Sequence, residues 1–86
     1  MAAADRLLAR MKRTAGGWSP DDLNRLYTGF GFIVKQGARH TKYRHPDHPE
    51  ISAVVPRHGE LPKAYVRTAV KNVDRLAKLE PGNEQD

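Results

Sequence analysis

The stretch FIVKQGARHTKYRH, residues 32–45, has the pattern of two β-strands joined by a short turn. Its first part, FIVKQ, is rich in residues that favour strands, and Gly37 marks a turn. In the second part, HTKYRH, Thr41 and Tyr43 fall on one side of the strand. The other side carries His40, Lys42 and Arg44. This alternation predicts a strand with one face in the core and one face exposed.

A third strand and three helices are predicted around this stretch. The third strand is ISAVVP, residues 51–56, and short loops would join all three strands into an antiparallel meander. The spacing of apolar residues predicts a first helix over residues 3–14 and a last helix from Pro62 to Leu79. Between them, Ser19 is the expected N-cap of a second helix that starts at Pro20. The predicted fold class is therefore α+β, with helices on one face of a three-stranded sheet.

The length of 86 residues supports a single domain, residues 1–86. Within it we distinguish a helical N-terminal extension (3–15), a core (18–79) and a polar, acidic tail (80–86) that we expect to be flexible. The net charge of +5 and the pI of about 9.9 favour an anionic partner, nucleic acid first and an acidic protein second.

The composition excludes several classes of protein. The chain has no cysteine, so a disulfide framework, a thiolate nucleophile and a Cys-based zinc site are excluded. No apolar run reaches membrane-spanning length, and we expect no membrane partner. The Arg-rich, amphipathic N-terminal segment is also typical of a transit peptide, but that would take a large part of so short a chain. We therefore expect a cytoplasmic protein.

His40 is the histidine whose neighbours in the sequence would suit a catalytic role. Cleavage of RNA by transesterification needs a base for the 2′-hydroxyl and cations for the phosphate, but no metal ion. A histidine titrates near pH ~6.5, and neighbouring Lys42 and Arg44 would favour its neutral form. The alternative is an exposed histidine without a catalytic role, and the pattern by itself favours this simpler interpretation.

The other histidines carry less information. His45 and His48 have a spacing that would suit a metal ion, but the loop between them leaves the geometry undefined and no third ligand is evident. We therefore interpret them as solvated loop histidines and predict no metal site and no cofactor. Four aromatic residues could act as base-stacking groups, but their periodicity favours core packing. They are Tyr27, Phe30, Phe32 and Tyr43.

A second basic group lies on the last helix, opposite its apolar face. It consists of Lys63, Arg67, Lys71, Arg75 and Lys78. Contact with phosphates and a merely solvated helix face explain this stripe equally well.

The segments GFGFIVKQGARHTKYRHPDHP (29–49) and ISAVVPRHGELPKAYVRTAVKNV (51–73) resemble the HicA-like toxins of bacterial toxin–antitoxin systems. Members of that family have a Gly-Phe at the end of a helix, a Gly-Ser-His or Gly-x-x-His turn, an aromatic residue, a His-Pro and a Val-Pro-x-His strand end. The matching residues here are Gly31, Phe32, Gly37, His40, Tyr43, His45, Pro46, Val55, Pro56 and His58. The resemblance covers residues 18–79. One departure is the turn Gly37-Ala38-Arg39-His40, where many members have Gly-Ser-His.

The resemblance implies a fold like the double-stranded-RNA-binding domain, α-β-β-β-α, preceded here by an additional short helix. It also implies an mRNA endoribonuclease that inhibits translation and is neutralised by a HicB-like antitoxin. His40 would be the catalytic residue. From their charge and position, we predict that the RNA-binding residues are Lys35, Arg39, Lys42, Arg44, Arg57, Lys63, Arg67 and Lys71. Two alternatives stay open: a non-catalytic module that binds double-stranded RNA, and an inactive toxin relative kept for protein pairing.

Overall fold

The computed structural model describes residues 2–80, and within them the chain forms three helices and three strands. In chain order they are α1 (Ala3–Arg13), α2 (Pro20–Gly29), β1 (Ile33–Gln36), β2 (His40–Arg44), β3 (Ser52–Pro56) and α3 (Lys63–Leu79). The α+β class and the order of the elements are confirmed. β1 begins one residue later than predicted because the N–H of Phe32 bonds to the carbonyl of Tyr27 at 3.0 Å, in the turn that follows α2.

The three strands form an antiparallel sheet in the order β1-β2-β3, as the meander predicts. Tyr43 in β2 lies opposite Val34 in β1 and Ala53 in β3. β2 is therefore the central strand, and both of its edges are hydrogen-bonded. Because neighbouring strands pair residue by residue, side chains opposite one another share a face of the sheet.

The start of α2 is fixed by a capping box. The Oγ of Ser19 accepts the N–H of Asp22 at 3.3 Å, and the carboxylate of Asp22 accepts the N–H of Ser19 at 2.9 Å. Pro20 then occupies the first helical position, where its missing N–H costs nothing. The predicted cap is confirmed, and a cap of this kind stabilises a helix by about 1 kcal/mol.

The core lies between one face of the sheet and the helices. Tyr27 of α2 is fully buried, stacks on Tyr43 of β2, and meets the ring of Phe32 edge-on at 4.8 Å. α3 contributes its apolar stripe, in which Val66 and Ala69 are fully buried. The aromatic residues thus pack as predicted.

α1 packs against both α2 and α3. It buries Met11, and near its start Ala4 lies directly against Gly29 at the end of α2. Lys12 of α1 also pairs with Asp74 of α3 at 3.0 Å, but an exposed pair of this kind contributes little. The helical extension is therefore part of the packed domain.

Two further predictions concern the ends of elements. Glu80, which the sequence assigns to the tail, is the C-cap of α3 and is only partly exposed. The rest of the predicted flexible tail lies outside the described residues.

Within residues 2–80, every helix is too short or too polar to cross a membrane.

Candidate nucleic-acid interface

The two faces of β2 have opposite environments. Thr41 and Tyr43 are buried under the helices, whereas His40, Lys42 and Arg44 are exposed. The predicted alternation is thereby confirmed. The sheet consequently has one covered face and one face that no described element covers.

We call the uncovered side the open sheet face. It is formed by Ile33, Lys35, His40, Lys42, Arg44, Ser52 and Val54. It contains no acidic residue, and Ile33 and Val54 are half exposed at 51% and 50%. This face therefore combines apolar surface with uncompensated positive charge.

Lys35 lies directly opposite Lys42 across the β1–β2 pair. Like charges placed opposite each other destabilise a sheet. Among residues 2–80, neither ammonium group has an acidic partner within ion-pair distance. An anion bound between the two lysines would relieve the repulsion, so this position is well suited to a phosphate group.

His40 stands at the edge of a shallow hollow of about 280 Å³ formed by the turn between β1 and β2. Its imidazole makes no hydrogen bond to any other described residue, so both ring nitrogens are available to a ligand. Arg39 is exposed beside it in the same turn, and Lys42 also lines the hollow. A base and several cations are thus gathered at one concave surface.

The turn is held in place by Arg57, which follows β3. The Nη1 of Arg57 donates to the carbonyl oxygen of Gly37 at 2.7 Å, and its backbone N–H donates to the carbonyl oxygen of Arg39 at 3.0 Å. A further bond, from the N–H of Gly37 to the carbonyl of His40 at 2.8 Å, closes the turn. Arg57 is among the predicted RNA-binding residues, and in the structure its guanidinium and backbone N–H hold the turn.

The basic stripe on α3 is exposed as predicted, but it does not lie on the open sheet face. Because α3 packs on the covered side of the sheet, the stripe points away from the open sheet face. Arg67, for example, lines a hollow between α1 and α3 together with Lys12 and Asp74. Lys63, Arg67 and Lys71 are therefore separated from Lys35, Arg39, Lys42 and Arg44. The predicted RNA-binding residues form two surfaces.

Tyr43 is close to His40 in sequence but takes no part in proton transfer near neutral pH. Its hydroxyl donates to Oδ1 of Asn24 at 3.0 Å on the covered side of the sheet. Burial, followed by the nearby Tyr27 and Asp21, raises the pKa of Tyr43 to about 12. The phenol therefore remains protonated and structural.

The interpretation of His45 as a solvated loop histidine is wrong. His45 is 5% exposed, and its ring packs edge-on against Phe32 with centroids 5.2 Å apart. A signal was present in the sequence, because residues 41, 43 and 45 have the same parity and continue one face of the strand. His48 is also partly buried, whereas His58 is exposed near the end of β3.

No family model, no curated protein and no solved structure matches this chain.

Proposed function

We propose that the chain is a metal-independent endoribonuclease toxin of the HicA-like kind, with a fold like the double-stranded-RNA-binding domain. In that fold α2 and α3 cover one face of the meander and α1 is an addition. The observation that carries the proposal is the position of His40. Within residues 2–80, its imidazole has no hydrogen-bond partner and lies on a sheet face that has cations and no carboxylate.

The reaction follows from general RNA chemistry. Neutral His40 accepts the proton of a ribose 2′-hydroxyl, and the 2′-oxygen then attacks the adjacent phosphorus. The bond from phosphorus to the 5′-oxygen breaks, leaving a 2′,3′-cyclic phosphate and a 5′-oxyanion. The 5′-oxyanion takes a proton from water and becomes a hydroxyl, and His40 returns its proton to solvent. Charge builds on the phosphate oxygens, where Lys42 and Arg39 can stabilise it.

The spacing of the side chains suits an RNA backbone. Residues two apart on a strand face are separated by about 7 Å, so His40, Lys42 and Arg44 form an evenly spaced row. Lys35 stands beside Lys42 in the neighbouring strand. A single strand of mRNA laid along this row would place one phosphate at His40 and its neighbours on the other cations.

The protein partner would be a HicB-like antitoxin that covers the open sheet face. Acidic groups would pair with Lys35, Lys42 and Arg44, and apolar groups would bury Ile33 and Val54. Such a cover would exclude mRNA and relieve the inhibition of translation. The expected location of both proteins is the cytoplasm.

The decisive experiment compares the parent with His40→Ala and a matched control, His58→Ala, on a long structured RNA in the presence of chelator. The control removes another exposed histidine, outside the open sheet face. We expect the parent and His58→Ala to cleave, and His40→Ala to lose cleavage while its Tm changes by no more than about 2–4 °C. Cleavage by His40→Ala at the parent rate would show that the assignment is wrong.

The alternative is a non-catalytic module that binds double-stranded RNA by shape and phosphate contact. It is favoured by the second cation surface, since Lys63, Arg67 and Lys71 follow one another at four-residue spacing along the exposed face of α3. Under this alternative the parent and His40→Ala bind duplex RNA equally, with steep salt dependence, and neither cleaves.

A further inference from the structure

We propose a binding site for a divalent transition-metal ion where the loop between β2 and β3 meets the end of α3. The ligands are His45, Asp47 and Glu80, whose ligand atoms all lie within 4.8 Å of one another. They comprise one imidazole nitrogen and two carboxylate oxygens. The proposal is independent of the ribonuclease function.

The separation of the ligand atoms is close to what zinc requires. With bonds of about 2.0–2.2 Å, two ligands of a tetrahedral zinc ion lie about 3.3–3.6 Å apart. The present atoms therefore need to approach one another by little more than about 1 Å, which side-chain rotations provide. Three protein ligands leave the fourth position for water. Mixed imidazole and carboxylate donors suit zinc better than magnesium, which prefers oxygen ligands.

His45 is prepared for this role by its surroundings. The N–H of Asp47 donates to its Nδ1 at 3.2 Å, so this nitrogen is unprotonated and has the lone pair that a metal requires. The ion would take the place of that long hydrogen bond. The ring itself is held in orientation by Phe32, against which it packs.

Glu80 is held toward the loop by His48. The Nε2 of His48 lies 3.3 Å from Oε2 of Glu80, and its Nδ1 lies 4.0 Å from Oε2 of Glu50. Polar groups that lie against a ligating carboxylate help to fix its direction, and such outer contacts raise metal affinity. His48 is therefore a positioning residue, and the motif His45-Pro46-Asp47-His48 supplies both a ligand pair and its support.

The site is remote from His40. His45 and His40 lie at opposite ends of β2, about 16 Å apart along the strand. A metal ion here would join the loop after β2 to the end of α3 and stabilise the fold, without touching the open sheet face. Chelator would then lower the Tm and leave the histidine chemistry in place.

The test is zinc binding by the full-length, untagged protein after removal of metals with chelator. Zinc chloride is titrated calorimetrically, and the Tm is recorded with zinc and with magnesium. We compare the parent with Glu80→Gln, Asp47→Asn and the control Glu60→Gln, which makes the same chemical change on an exposed loop. His45 is left unchanged because its burial makes a folding defect the expected result.

We expect one zinc ion per chain, a higher Tm with zinc and no shift with magnesium. Glu80→Gln and Asp47→Asn should each raise the Kd for zinc at least about tenfold, and Glu60→Gln should not. Circular dichroism checks that the variants fold. The proposal is overturned if the parent does not bind zinc, or if the two ligand variants bind zinc as tightly as the parent.

Discussion

Tyr43 of β2 stacks on Tyr27 of α2 with ring centroids 4.4 Å apart. The hydroxyl of Tyr43 donates to Asn24 of α2, and the hydroxyl of Tyr27 accepts from Nδ2 of Asn72 in α3 at 3.1 Å. Two phenol rings thus connect the central strand to both covering helices. Since His40 lies on the opposite face of the same strand, this stack supports the strand that presents the candidate catalytic residue.

Ionisation of Tyr43 should lower the stability of the fold at alkaline pH. The pKa of Tyr43 is raised from 10.0 to about 12 in the folded protein, chiefly by burial. Its neutral form is therefore favoured by folding, and this contribution to stability is complete below pH 10 and is lost as the pH rises from 10 to about 12. Tyr43→Phe should show a shallower fall of Tm over this range than the parent. Tyr65→Phe is the control, and equal slopes for the parent and Tyr43→Phe would contradict the assignment.

Removing one of the two opposed lysines should raise the stability of the fold and lower its affinity for RNA. Replacing Lys35 by Gln removes the repulsion with Lys42 and should stabilise the fold by about 0.2–1 kcal/mol, measured by urea denaturation. The same change should weaken RNA binding and reduce the slope of log K against log salt by about 0.7–0.9. Arg25→Gln, which removes the same charge from the exposed side of α2, should leave RNA binding unchanged. A salt slope unaffected by Lys35→Gln would exclude phosphate contact at this position.

Arg57 should act on the rate of cleavage through the turn. Without its bond to Gly37, the segment that carries Arg39 and His40 loses one of its anchors, although the backbone bond from Arg57 to Arg39 remains. A displacement of about 1 Å can lower kcat by about 100-fold. Arg57→Ala should therefore lower kcat more than it raises KM, and Arg57→Lys, which can still donate to the carbonyl, should recover part of the loss. If Arg57 acts only by holding RNA, the change will appear in KM and in the salt dependence.

The close approach of Gly29 and Ala4 predicts a compensating pair. A Cβ on Gly29 would overlap the Cβ of Ala4, so Gly29→Ala should destabilise the protein by about 1–3 kcal/mol, although alanine favours helices by about 1 kcal/mol. Ala4→Gly added to Gly29→Ala should restore most of the lost stability. The free energies of unfolding of the parent, both single variants and the double variant complete the cycle. Additive effects would show that α1 does not pack at this position in solution.

Local features of the fold could be predicted from the sequence because they depend on neighbouring residues. The capping box at Ser19 and the alternation from His40 to Arg44 are of this kind. The separation of the two cation surfaces could not be predicted from the sequence, because it depends on which face of the sheet the helices cover. Glu80 was also missed as a neighbour of His45, because only the length and direction of α3 bring it there.

The alternation of buried and exposed side chains along β2 limits the insertions and deletions that the strand can accept. An insertion or deletion of one residue within His40–Arg44 would send Tyr43 outward and bring charged side chains into the core, so stability and site would be lost together. The turn at residues 37–39 lies outside this register. A change in the length of the turn would therefore leave the strand pairing intact and alter only the position of Arg39 and the contacts of the turn with Arg57.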